Sequence, residues 1–254
     1  MPFDETPDKP QAFGYKINWF AVRTPDPQSV VDALKLERAT PANWASGLAA
    51  VYESRGDTPQ WVFVSPPIGD WILAVAPLID LPSQIDESAD DPIVAGLGRE
   101  FQRHFSGLTT RFSEVQFFCS YRVVGYVAWA RARQGDPPRA FAFMDDVLVN
   151  TGEQSPEEAT LGFPSLSGLS PAAATDRIFE LAQARDDEED RLVAAGLSRK
   201  DASARVRQSG RHSLPGEEDV VELAALWSID PTGLEKQEHL PGLGIAGLLP
   251  KAPA

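Results

Sequence analysis

Apolar residues alternate, crowd and space out along this chain in ways that separate strands from helices. At 15–23, Tyr15, Ile17, Trp19 and Ala21 fall on one face of an extended chain and Lys16, Asn18, Phe20 and Val22 on the other. Both faces are apolar near the end of the run, which predicts a strand covered on both sides. Thr24-Pro25-Asp26-Pro27 stops it. Asp26 can accept from the free N–H groups of a first helical turn and Pro27 suits the first helical position. A helix over 27–36 is expected, with Val30, Val31 and Leu34 turned inward. Residues 61–65 and 71–76 are rich in Val, Ile, Phe and Trp and flank Pro-Pro-Ile-Gly-Asp, the pattern of a hairpin. Ile93, Leu97, Phe101 and Phe105 recur at helical spacing, which places a helix at about 92–106, closed by Gly107.

Residues 114–121, 123–133 and 139–143 read as successive strands joined by polar or Gly/Pro turns, with Gly125 marking a bulge and Asp145-Asp146 heading a return into 147–149. Short turns between consecutive strands predict an antiparallel meander. Ser155-Pro156-Glu157-Glu158 has the pattern of a capping box. After about residue 164 the composition changes. A Ser/Gly/Pro linker leads into helical patterns that open at Ser170-Pro171, at Ser198 and at Glu217-Glu218-Asp219, whose negative charge suits a helix start. The expected fold class is α+β: a mainly antiparallel β-sheet packed by helices, with a helical C-terminal extension. The expected organisation is a sheet domain at 14–163, a helical extension at 165–235, and flexible tails at 1–13 and 236–254.

Composition narrows the function. The chain has 254 residues, 43% hydrophobic and 24% charged, the balance of a globular protein rather than a disordered one. No apolar run approaches the ~18 residues of a membrane helix, so no membrane partner is expected. Lys and Arg number 23 against 37 Asp and Glu, a net charge of -14. Direct nucleic-acid binding, which needs clustered cations, is not expected. The first residues lack the basic-then-apolar order of a secretory signal, and the lone Cys119 sits in an apolar run; a buried thiol in a reducing cytoplasm is the expectation.

Candidate chemistry is sparse. His104, His212 and His239 show no metal-ligand spacing and read as surface residues. No nucleophile elbow, phosphate loop or dinucleotide fingerprint is present, so no catalytic residue, metal or cofactor is assigned. Six tryptophans fall mostly in predicted strands and read as core. Lys16, Arg23, Arg122, Arg131 and Arg133 lie on strands, where they form either a basic face for an anion or the solvent side of a half-buried sheet. Two acidic runs stand out. One is Asp186, Asp187, Glu188, Glu189 and Asp190 on a predicted helix; the other is Asp86, Glu87, Asp90 and Asp91 in a loop that follows Asp80. The first reads as a solvated helical face, as the surface for a basic protein partner or as a divalent-ion site that lacks the spacing of a calcium loop; the second reads as a solvated loop or part of the same partner surface, since acidic surfaces speed association with basic ones.

The segments FGYKINWFAVRTPDPQSVVDALKL, WVFVSPPIGDWILAVAP, VQFFCSYRVVGYVAWARARQG and RAFAFMDDVLVNTG together resemble uncharacterised bacterial proteins of an immunity-like type over residues 14–163. The resemblance implies a neutralising partner of a secreted polymorphic toxin and carries over no active-site residue. The expected function is therefore a non-enzymatic cytosolic binding protein, an immunity protein that blocks a basic toxin by direct contact. Two alternatives stay open. One is an enzyme with a dispersed polar site, drawn from Asp70, Asp145, Asp146 and the strand arginines. The other is a scaffolding component of a bacterial assembly.

Overall fold

The two apolar registers of the first strand face two different packing layers. In a computed structural model that describes residues 3–54, 58–77, 92–208 and 214–250, the side chains of 92–97 and 207 apart, Ile17, Trp19 and Ala21 enter one buried cluster and Phe20 and Val22 the other. The strand is β1 (Ile17–Arg23). It is followed by β2 (Glu37–Ala42), β3 (Trp61–Val64), β4 (Trp71–Ala76), β5 (Glu114–Tyr121), β6 (Tyr126–Arg133), β7 (Arg139–Met144), β8 (Asp146–Thr151) and β9 (Gly244–Leu248). They form one sheet in the order β2-β9-β3-β4-β1-β5-β6-β7-β8, every neighbouring pair antiparallel. The chain is α+β, as the pattern predicted, and β1 lies between β4 and β5 with both faces covered.

Helices α1 (Pro27–Ala33) and α3 (Pro92–Thr109) cover one face. Val30, Val31 and Leu34 from the first, and Phe101 and Leu108 from the second, meet Phe20, Val22, Ile72, Phe117 and Cys119. The other face carries α2 (Trp44–Glu53), α4 (Pro156–Thr160), α7 (Glu217–Trp227) and the first turns of α5 (Pro171–Ala194), packed on Trp19, Phe63, Phe118, Trp129 and Phe141. Each such large apolar side chain contributes roughly 1.5–3 kcal/mol on burial. Local chemistry starts the helices where expected. Asp26 accepts from Gln28 N–H, with Pro27 at the first position. Ser155 and Glu158 close a reciprocal capping box. Ser170 caps α5, and Ser198 accepts from Asp201 N–H at the start of α6 (Arg199–Gln208).

Both expected tails are built into the body. At the N-terminus Phe3 packs edge-on against Trp61, with ring centroids 4.9 Å apart. The Asp8 carboxylate accepts from the N–H groups of Trp44 and Ala45 at 2.7 and 3.0 Å, where the positive end of α2 favours an anion. Phe13 is buried. The C-terminal segment supplies β9, inserted between β2 and β3. Its glycines disguised it. A Cβ on Gly244 would sit 2.6 Å from the Phe63 ring, and one on Gly247 would sit 2.8 Å from Leu36 Cβ. Glycine here makes room for neighbours rather than a flexible end. Gly47 of α2 also faces the Phe63 ring, which a Cβ there would overlap.

The helical extension is not one unit either. Helix α7 buries Val220, Leu223, Ala224 and Trp227 on the sheet, while α6 packs on α5. Smaller departures have local causes. Gly107 lies within α3, which runs on to Thr109, and Gly125 serves a turn at φ +67° rather than a bulge, so β6 starts at Tyr126. Short, polar β2 contains Pro41 and a register shift between Glu37 and Thr40, features that guard an exposed edge. At the other edge, Val147 N–H donates to Thr175 Oγ1 of α5 at 2.8 Å.

Candidate binding surfaces

The acidic run at 186–190 lies on α5, as its pattern predicted. Helix α5 is 24 residues, about 36 Å long, and is docked at its start, where Ala174 and Ile178 are buried. Beyond Ile178 none of its residues is buried, and its packing partner is α6, joined by a short turn through Gly196 at φ +99°. The carboxylates of the run are largely used inside this hairpin. Arg199 reaches Glu189 at 3.6 Å and Asp190 at 3.2 Å. Glu188 pairs with Arg191, and Gln183 donates to Asp187 at 2.8 Å. Residues 171–208 hold eight acidic and seven basic residues, net -1. The run is therefore the acidic half of a nearly neutral hairpin. Asp80, Asp86, Glu87, Asp90 and Asp91 lie outside the described residues.

The five cations read on strands split three ways. Lys16 begins the chain's entry into β1, and Arg122, in the β5–β6 turn, pairs with Glu217 at 3.4 Å. Arg23, Arg131 and Arg133 converge on Glu114. Glu114 Oε1 accepts from Arg131 Nε at 2.9 Å, Arg133 Nε at 3.0 Å and Gln116 Nε2 at 3.0 Å, and Arg23 lies 3.7 Å from Oε2. The alternation Arg131-Ala132-Arg133 puts both guanidiniums on the same sheet face as Trp129; there Arg131 is covered, while Arg133, at the strand end, stays half in solvent. Arg131 is 8% exposed and lies over the Trp227 ring at 5.1 Å. Gln116 Nε2 also donates to Trp227 O, and Trp227 Nε1 donates to Ser155 Oγ. This cluster fastens α7 and α4 to the sheet.

A second cluster is deeper. Glu158, 1% exposed, accepts from Trp129 Nε1 at 2.9 Å and from Arg139 Nε and Nη2 at 3.1 and 2.8 Å, while its Oε2 closes the capping box. Arg139 Nη1 continues to Asn150 Oδ1 and Thr151 O. The capping role of Glu158 was legible in sequence; its ion pair was not, because Arg139 reaches it only through the pairing of β6 with β7. Chemically, both clusters are carboxylates already satisfied by guanidiniums, an arrangement that holds structure in place.

The dispersed acids of the enzymatic alternative do not meet. Asp70 is exposed in the β3–β4 turn and pairs with Arg23. Asp145, between β7 and β8, and Asp146, the first residue of β8, are exposed beyond Phe143, which pairs with Val127 at the opposite end of the sheet. His104 is buried at 4% exposure, not on the surface, and its Nε2 lies 3.1 Å from Arg103. His239 is half-buried and lines a cavity of about 300 Å³ with Pro10, Pro66, Pro67, Ile68 and Leu240. His212 falls outside the described residues. Cys119 is buried as expected, next to Tyr126, whose phenol burial pushes well above its ordinary value, with Cys119 adding to the rise. No group of three or more metal-ligating side chains occurs among the described residues.

One surface went unread in the sequence. Residues 214–250 hold seven acidic residues, a single Lys and no Arg. Glu217 is spent on Arg122, and the Asp219 carboxylate accepts from Gly216 N–H. Glu218, Glu222 and Leu226 follow at four-residue steps on the exposed side of α7, Leu226 46% exposed, and Glu238 is exposed beyond. The helix beneath is packed on the sheet through the buried Trp227. The signal was the absence of compensating cations along this stretch. Compared with known families, curated proteins and solved structures, the chain returns no match.

Proposed function

We propose that this chain is a non-enzymatic binding protein of the immunity type, which neutralises a basic protein toxin by direct contact. Its acidic face lies on α7 and the segment that follows. The observation that supports this is the exposed line Glu218, Glu222 and Leu226 on a helix whose Trp227 is buried against Arg131. Two carboxylates in line with an apolar anchor, on a helix already packed on the sheet, suit a basic partner at low ordering cost. Of the net charge of -14, all but -1 lies outside residues 171–208, so a basic partner is steered towards the body of the protein. A cytoplasmic location belongs to the same proposal, and among the described residues no helix is long and apolar enough to cross a membrane.

The test is co-expression with the product of the adjacent gene, followed by titration of the two purified proteins. The expected result is growth arrest by the neighbour alone, rescue by this chain, and a one-to-one complex that weakens as salt rises. Glu218→Lys with Glu222→Lys is expected to raise the dissociation constant at least about tenfold. A harmless neighbour, or a complex that ignores both substitutions, overturns the reading.

A further inference from the structure

The α5–α6 hairpin has a thin core. Its buried side chains beyond the docked first turns are Ala202 and Val206. Phe179 is 42% exposed, and Leu181, Leu192, Val193 and Leu197 are only half-buried. The undocked part of α5 and the ten-residue α6 gain little from each other with so little burial, since most helical stability in proteins comes from tertiary packing. Their outer faces also carry opposite charge. Beyond Ile178, Glu180, Asp186, Asp187 and Asp190 against Arg191 are exposed on α5, whereas Arg199, Lys200 and Arg205 against Asp201 are exposed on α6.

We propose that this hairpin is the self-association surface of the protein, with α5 of one copy lying against α6 of a second in a two-fold arrangement. A two-fold axis sets the acidic face of each α5 against the basic face of the other copy's α6, so one bipolar surface is complementary to itself. The rest of the molecule carries a net charge of -13 and repels its own copies; the hairpin, at net -1, is where two copies meet with least repulsion. The undocked part of α5 is about 24 Å long and α6 about 15 Å, which makes a small interface of the weak class. The inference is independent of the toxin reading, because the α7 face is left free.

The experiment is sedimentation of the full chain at low salt, up to about 100 µM, a concentration suited to a weak interface. Wild type is expected to reach twice the monomer mass and to return to monomer as salt rises. Asp186→Lys with Asp187→Lys takes α5 from net -4 to zero and so removes its attraction for the basic α6, and Lys200→Glu with Arg205→Glu takes α6 from +3 to -1, making both helices acidic. Each double variant alone is expected to lose at least tenfold in self-affinity, while an equimolar mixture of the two regains the dimer. All four positions are exposed, and unchanged circular dichroism certifies the fold. A monomeric wild type, a dimer insensitive to both variants, or a mixture that stays monomeric each overturns the proposal.

Discussion

In the sheet, Glu158 is 1% exposed and answered by Arg139, Trp129 and its own helix cap, whereas in the hairpin Asp190 and Arg199 meet with 70% and 71% of their side chains in solvent. The same residue types act under different rules. In the sheet, removing one partner strands a buried charge. In the hairpin, water takes the place of a lost partner and the pair contributes little. The body is tied together by segments distant in sequence, with β9 inside the sheet and Asp8 accepting from the first N–H groups of α2. The hairpin is an appendage joined to it through the first turns of α5.

The strongest way to break this comparison is to cut each region. A chain ending at residue 240 loses β9 and exposes the edges of β2 and β3. It is expected to lose its cooperative thermal transition, read by circular dichroism. Replacement of 181–206 by a short Gly/Ser linker is expected to keep that transition. A smaller contrast comes from single substitutions. Glu158→Ala is expected to cost about 3–5 kcal/mol in urea unfolding, through the uncompensated Arg139. Arg199→Ala is expected to cost less than about 1 kcal/mol, given its exposure.

The smallest effect is expected at alkaline pH. Burial raises the Tyr126 phenol well above its ordinary value of 10.0. Below about pH 10 both folded and unfolded chains keep the proton and the contribution is complete. Above it the unfolded chain loses its proton first, so stability falls with rising pH. Tyr126→Phe is expected to flatten that part of the urea-midpoint profile. A wild-type profile level to pH 11 shows that Tyr126 does not govern it.

Local periodicity and caps carried everything that could be read along the chain. The two-faced β1, the β3–β4 hairpin, the β5–β8 meander, the capping box at Ser155 and the starts of α5, α6 and α7 each depend on residues within a few positions of one another. So does the α+β class. The tertiary structure decided what depends on partners distant in sequence. Residues 3–13 read as a tail because their anchors, Trp44 and Trp61, lie tens of residues away. The glycine-rich β9 carries no strand periodicity, because close packing against Phe63 and Leu36 leaves its glycines no room for side chains. The burial of Arg131 and the ion pair of Arg139 could not be read along the chain, because only strand register and the arrival of α4 and α7 bring Glu114, Glu158 and Trp227 to them. The acidic run of α5 was visible as charge, but only the return of α6 brings Arg199 against it. Electrostatic neutralisation depends on distance in space, which order along the chain does not encode.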